Sequence, residues 1–307
     1  MRVLFIGLGS IAKRHISNLK EMFGREISIT VLRSGNNLVL EDAIIFLIAH
    51  ICYDSSELEQ EYDAVFVTNP TSQHYNTLLK YKRLSNCFFV EKPVFLTGKE
   101  ELKLFKDDRK VYYVACPIRY TNVIQYIKKN IDFSYVYSMR CISSSYLPDW
   151  RTGIDYRQSY SASKALGGGV SIDLIHEWDY IDYLIGEPLD VKYIATKKSD
   201  LEIDSDDIAV YIAEYEDKVV EIHLDYFGRV PIRRIELFTH DDTIVVDLIN
   251  QKIEWLRQKK IIKLFQDRDE YQRRELTHFF DIVKGKCDND NTLEKACKIL
   301  QRARGEE

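Results

Sequence analysis

Strand-forming, mostly apolar residues in the first third of the chain fall into short runs, 3–6, 27–32, 64–68, 87–90 and 111–115. Runs of this length and composition predict β-strands. Between them, 12–22, 72–83 and 99–109 carry apolar residues at helical spacing, with Ser72 as a candidate N-cap and Gly98 as a turn residue before the third. Strands alternating with helices predict a doubly wound parallel sheet. After Cys116-Pro117 the rhythm changes: a helix at 121–130 and a strand at 135–145 precede runs at 191–196, 208–215, 219–226, 232–239 and 243–248. Strands in succession predict a large, open, mostly antiparallel sheet. One long helix, 169–185, interrupts them, and two more, 271–283 and 291–302, close the chain.

The glycine turn at the front sharpens this picture. Val3-Leu4-Phe5-Ile6 runs into Gly7-Leu8-Gly9-Ser10-Ile11-Ala12, a GxGxxA pattern between a strand and a helix. Gly7 permits the tight turn, Gly9 lets backbone approach a pyrophosphate, and Ala12 lets helix and strand pack closely. The expected organisation is α/β: a dinucleotide-binding Rossmann domain over 1–117, then an α+β domain over 118–307 for substrate binding and oligomerisation. The second strand ends in Arg33-Ser34, where an NAD-preferring site would usually carry a carboxylate for the adenosine ribose. Arg33 and Ser34 offer donors to a ribose phosphate, which favours NADP over NAD; Arg33 stacked on adenine would serve either.

Composition mainly excludes. The 307 residues, 45% hydrophobic and 30% charged, suit two substantial cores, and a net charge of -5 provides no basic excess for nucleic acid or an anionic membrane. Six scattered cysteines without a CxxC pair, and no secretory leader, predict reduced thiols and a cytoplasmic protein. The longest apolar stretch, 38–53, is broken by Glu41, Asp42 and His50 and falls short of the ~20 residues of a membrane span, so it is expected in a core. Asp204-Ser205-Asp206-Asp207 lacks the glycine and closing glutamate of a calcium loop, and no metal is expected. The 20 tyrosines, spread through both parts, read as packing.

Two further segments carry chemistry. Glu91-Lys92-Pro93 follows the run at 87–90, placing a lysine at the carboxyl end of a parallel strand, where open α/β sheets bind ligands. Gly167-Gly168-Gly169 leads into Asp173, His176 and Asp179 on the long helix. With GxGxxA, EKP and GGG…D…H in that order, the chain resembles the glucose-fructose oxidoreductase, inositol dehydrogenase and MocA (Gfo/Idh/MocA) family over essentially its whole length. Smaller similarities are Asn69-Pro70-Thr71-Ser72-Gln73-His74 and Arg119-Tyr120. The stretch from Tyr146 through Trp150, Arg151 and Arg157 to Ser161 is similar to a branch associated with bacterial surface-sugar biosynthesis.

The resemblance implies hydride transfer between nicotinamide and a hydroxyl-bearing carbon of a sugar, nucleotide-linked sugar or polyol. Lys92 would polarise the reacting oxygen and His176 would move its proton. Asp173, three residues before His176 where the family commonly has four, would orient the imidazole, bind substrate, or both; Asp179 would line the same face or bond to His176. It further implies cofactor contacts at Gly7, Gly9, Ser10, Ile11, Arg33, Ser34, Asn69, Pro70, His74, Glu91 and Lys92, and substrate contacts at Arg119, Trp150, Arg151, Arg157, Asp173 and His176. Trp150 suits a sugar face and the arginines an acidic group. His74 would approach the nicotinamide or stabilise its loop, and His15 would contact phosphate or serve packing. A homodimer or homotetramer through the second sheet is expected. The alternatives are a nucleotide-binding sensor or subunit without turnover, and an enzyme whose tightly held cofactor undergoes transient oxidation during epimerisation or elimination.

Overall fold

The computed structural model describes residues 1–35, 42–151 and 153–306, so residues 38–41 of the apolar stretch at 38–53 lie outside the described residues. Contacts divide the chain into two units, Met1–Pro117 with Asp267–Cys297, and Ile118–Gln266 with Lys298–Glu307.

The first unit runs β1 (Arg2–Ile6), α1 (Ser10–Phe23), β2 (Ser28–Leu32), α2 (Asp42–Ile45), β3 (His50–Cys52), β4 (Ala64–Val67), α3 (His74–Tyr81), β5 (Cys87–Val90) and β6 (Val111–Val114). All six strands are parallel, in the order β3-β2-β1-β4-β5-β6. The apolar runs form these strands because a parallel sheet leaves no solvent face: Val3, Leu4, Phe5, Val65, Phe66 and Phe89 are fully buried. The strand order reverses between β1 and β4, the switch point at which such sheets hold ligands.

The helix expected at 99–109 is not formed; a single 3-10 turn, Leu102–Phe105, stands in its place. Phe105 is buried against Tyr75, Phe95 and Tyr112, which accounts for the apolar signal. The Asp107 carboxylate accepts the Arg109 backbone N–H at 3.1 Å, a local bond that competes with helix.

The second unit runs α4 (Asn122–Asn130), β7 (Val136–Tyr146), α5 (Val170–Asp173), α6 (His176–Ile185), β8 (Asp190–Thr196), β9 (Ile208–Glu214), β10 (Val219–Asp225), β11 (Phe227–Thr239), β12 (Thr243–Asp247), β13 (Lys252–Trp255) and β14 (Lys260–Lys263). Its eight-stranded sheet has the order β14-β13-β12-β11-β7-β10-β9-β8 and is antiparallel except where β10 meets β7. A cross-strand row of Tyr211, Ile222, Cys141, Ile235, Val246 and Ile253 is fully buried on one face. The neighbouring row on the other face, Lys192, Ile212, Glu221, Arg140 and Glu236, stays largely accessible. Alternation at period 2 separates the two.

Two helices close the chain, α7 (Arg268–Val283) and α8 (Leu293–Ala303). A linear division at 117 places both in the second domain, whereas Asp267–Cys297 groups with the first unit. Phe279 of α7 packs edge-on against Phe66 and Phe89, and the buried Glu275 accepts the Cys116 backbone N–H just beyond β6 at 2.5 Å. The apolar side of α7 thus covers one face of the parallel sheet.

Candidate active site

In the first unit, the β1-to-α1 turn is shaped by close approach. Gly7 has φ +98°, and a Cβ there would lie 2.7 Å from the Asn69 backbone nitrogen, so no side chain fits. The Thr68 hydroxyl donates to the carbonyls of Ile6 and Gly7 at 3.2 and 3.0 Å, fastening the turn to the end of β4. Around Gly9 the opposite holds: a Cβ would meet nothing within 4 Å. Gly9 caps α1 with no side chain accepting from the helix among the described residues, and the first turn holds no acidic residue. The amides of Ser10, Ile11 and Ala12 therefore open a helix N-terminus onto free space beside a glycine, which fits a dinucleotide pyrophosphate. Arg33 follows β2, 8% exposed, with its guanidinium 6.0 Å from the centre of the Tyr53 ring; Ser34 is exposed.

Past the next strand ends, Asn69 donates its side-chain amide to Gln73 and Thr77, and Pro70 is exposed. His74 is buried, with Nε2 2.9 Å from the Asn69 carbonyl and Nδ1 3.1 Å from that of Val94, so its ring stitches this loop to the segment after Lys92. Burial holds its pKa below the ordinary histidine value. A depressed native pKa means that the unfolded chain takes up the proton first. The His74 contribution is therefore complete above about pH 6.5 and lost as pH falls, at no more than about 1.4 kcal/mol per pH unit. Urea unfolding of the protein and of His74→Gln between neutral and mildly acidic pH should give the variant the flatter profile; equal slopes would exclude this role.

Glu91 leaves β5 with its amide bonded to the Val67 carbonyl at 3.0 Å, and the Lys92–Pro93 peptide is cis. The Glu91 carboxylate meets Nε2 of the buried His15 at 2.7 Å, and His15 packs edge-on against Phe89. His15 thus belongs to the core beneath the Lys92 turn, its packing alternative, and Lys92 itself is half-buried.

In the second unit, the helix read as continuous over 169–185 is two helices, broken at Leu174 and Ile175. Asp173 ends α5 and His176 begins α6, so the shared-face argument from helical spacing does not apply to them. The carboxylate of Asp173, 6% exposed, accepts from the Tyr160 and Tyr226 hydroxyls, both at 2.5 Å. Burial, together with the Asp173 charge, raises both phenols above the ordinary tyrosine value and keeps them protonated as donors. Tyr160 falls within the stretch ending at Ser161, whereas no periodicity or motif marks Tyr226 in the sequence.

Along 171–182, His176 is the one residue that is not buried. Its neighbours anchor it: Glu177, fully buried, takes Arg233 Nε at 2.6 Å, and Asp179 takes the fork of the fully buried Arg119 at 2.9 and 2.7 Å. Fixing the first turn of α6 on both sides holds the imidazole on a rigid mount. Trp150 donates its indole N–H to Ser145 and meets Tyr226 edge-on. Arg151 lies 5.8 Å from the Tyr160 ring centre, and Arg157 is ion-paired with Asp155 and Glu202.

The acidic run at 204–207 is used by backbone: Asp204 accepts from Lys164, Asp206 from Ser171, and Asp207 from Lys198 and Ser199. Among the described residues no cluster of three or more His, Cys, Asp or Glu is arranged to hold a metal, and no helix is long and apolar enough to cross a membrane.

Comparison with known proteins bears on the first unit and on the fold. Residues 1–115 match the profile of a family described as an oxidoreductase family with an NAD-binding Rossmann fold, GFO_IDH_MocA. An inositol 2-dehydrogenase of Rhizobium meliloti (strain 1021) is 24% identical over 138 residues, 44% of this chain and 40% of that protein's length. Among solved structures, UDP-N-acetylglucosamine 3-dehydrogenase from Acidithiobacillus ferrooxidans superposes with a TM-score of 0.79 at 20% identity, covering 99% of this chain and 96% of that one. A levoglucosan dehydrogenase in complex with NADH and L-sorbose gives 0.84 at 16% identity, covering 99% and 95%. At these identities the structural likeness speaks to the fold.

Proposed function

We propose that this chain, whose residues 1–115 match the Gfo/Idh/MocA oxidoreductase family with its NAD-binding Rossmann fold, is a dehydrogenase or reductase of that kind acting on a hydroxyl-bearing carbon of a sugar, nucleotide-linked sugar or polyol. The observation that carries this reading is the open helix N-terminus at Gly9 beside strand ends that present Lys92. A bound dinucleotide would supply the hydride acceptor or donor, its pyrophosphate held by the turn at Gly7, Gly9, Ser10 and Ile11 and its nicotinamide half by the segments after the strands at Asn69, Pro70 and Glu91, with His74 bracing the Asn69 loop. The chain's own residues manage oxygen and proton. Lys92 donates to the reacting oxygen and stabilises the charge that grows there, and His176 accepts its proton during oxidation and returns it during reduction. Asp173 binds or orients the substrate with a carboxylate fixed by two phenols. A purified preparation that shows no change in nicotinamide absorbance across a panel of sugars, keto-sugars and nucleotide-linked sugars, while still binding cofactor, would favour the sensor instead.

NADP is the preferred cofactor in this proposal, on the strength of Arg33 and Ser34 after β2. Arg33→Asp should weaken NADPH binding by about 10- to 100-fold, the worth of a charge-assisted bond, and leave NADH less affected. Equal losses in fluorescence titrations with the two would assign Arg33 to adenine stacking.

The accessible face of the second sheet, where Ile194, Ile212 and Ile232 are 68%, 52% and 43% exposed, is proposed as the contact between copies in a homodimer or homotetramer. Sedimentation velocity should show Ile212→Lys shifted toward monomer; an unchanged profile would place the contact elsewhere.

A further inference from the structure

An open cavity of about 340 Å³ lies within the second unit, outside the residues assigned so far. Its walls include Tyr146 at the end of β7, Tyr156, Lys198 and Asp200 after β8, and Phe227 and Arg229 at the start of β11. The two cations set it apart. Arg119, Arg140, Arg157, Arg233 and Arg302 of this unit each pair with a carboxylate, whereas among the described residues neither the Lys198 ammonium nor the Arg229 guanidinium does. Arg229 instead lies 3.8 Å from the centre of the Tyr146 ring, which leaves the outward edge of its fork for an anion.

The cavity wall is braced. Asp207, fully buried, accepts the backbone N–H groups of Lys198 and Ser199 at 2.7 and 2.8 Å and the Ser199 hydroxyl at 2.6 Å, so the loop bearing Lys198 and Asp200 is held from beneath. The Tyr156 hydroxyl accepts the Glu202 N–H at 3.2 Å and ties the opposite wall to that loop. Along the chain the walls neighbour the Asp173 network: Phe227 directly follows Tyr226, and Tyr156 lies four residues before Tyr160, the two phenols on that carboxylate.

We propose that this cavity binds the nucleoside diphosphate of a nucleotide-linked sugar whose sugar ring reaches the Asp173 side. The inference rests on the proposed sugar oxidation and narrows its substrate class. Adjacent phosphates match two uncompensated cations, the planar base matches aromatic faces, and the ribose hydroxyls match the acceptor oxygens of Asp200. A free monosaccharide would leave both cations without a counter-charge.

The test is calorimetric titration of the full-length protein, saturated with NADPH so that the dinucleotide turn is blocked, with UDP, dTDP and GDP. At least one should bind, and Arg229→Gln and Lys198→Gln should each weaken it roughly 10- to 100-fold. Both residues are exposed, so the variants should keep the parent's thermal midpoint and NADPH affinity. Absence of binding by all three diphosphates, or binding indifferent to both substitutions, overturns the proposal. Diphosphate binding without hydride transfer to any nucleotide-linked sugar would sustain the cavity and defeat the proposed activity, whereas turnover of free sugars without diphosphate binding would do the reverse.

Discussion

Lys92→Met is expected to lower kcat by about 10²- to 10⁴-fold, the usual worth of a positioned proton donor, while leaving NADPH affinity within a few-fold of the parent. The side chain leaves β5 on a segment pinned by the Val67 carbonyl, His15 and the bonds of His74, so an uncharged side chain of similar length should sit there without disturbing the turn. What it removes is the charge that stabilises an oxygen anion. His176→Asn should cost a similar factor. Groups that serve one step fail together, so the double variant should be little slower than the worse single one. Losses that multiply would mean that the two act in separate steps, and an unimpaired Lys92→Met enzyme would remove Lys92 from the chemistry.

Gly168→Ala should be the most damaging single-methyl change in the second unit. A Cβ there would lie 2.0 Å from the Tyr160 carbonyl oxygen and 2.7 Å from that of Ser161, both backbone atoms. Overpacking of this kind costs about 1–3 kcal/mol or more. Relief requires moving the segment that carries Tyr160, whose hydroxyl holds Asp173. Thermal unfolding and turnover should therefore fall together, and an alanine variant with the parent's midpoint and kcat would show that the loop yields freely.

Much of this architecture can be read along the chain, because buried parallel strands are nearly pure apolar runs; 87–90 forms β5 residue for residue. Failures follow where tertiary contacts outweigh local pattern. β13 and β14 escape notice because Lys252, Glu254, Lys260 and Lys263 dilute four-residue strands near a sheet edge. Residues 99–109 imitate a helix because Phe105 must reach the core, although Asp107 bends the backbone behind it. The break after Asp173 lies inside an unbroken helical pattern, at Leu174 and Ile175, and no residue there signals it in the sequence. At the site, motifs point to Lys92, Asp173 and His176, but the partners of these residues or of their neighbours, His15 on Glu91, Tyr226 on Asp173 and Arg233 on Glu177, come from distant stretches whose pairing depends on the fold.

The return of Asp267–Cys297 to the first unit has a consequence for synthesis on the ribosome. When residue 117 emerges, all six parallel strands exist, yet Phe66 and Phe89 lack the helix that shields them, and about 160 further residues must be translated before Phe279 arrives. The nascent nucleotide-binding half must wait, greasy side uncovered, while the intervening half is made. A fragment ending at 117 should accordingly be insoluble when produced alone, and one in which α7 is grafted directly after β6 should be rescued.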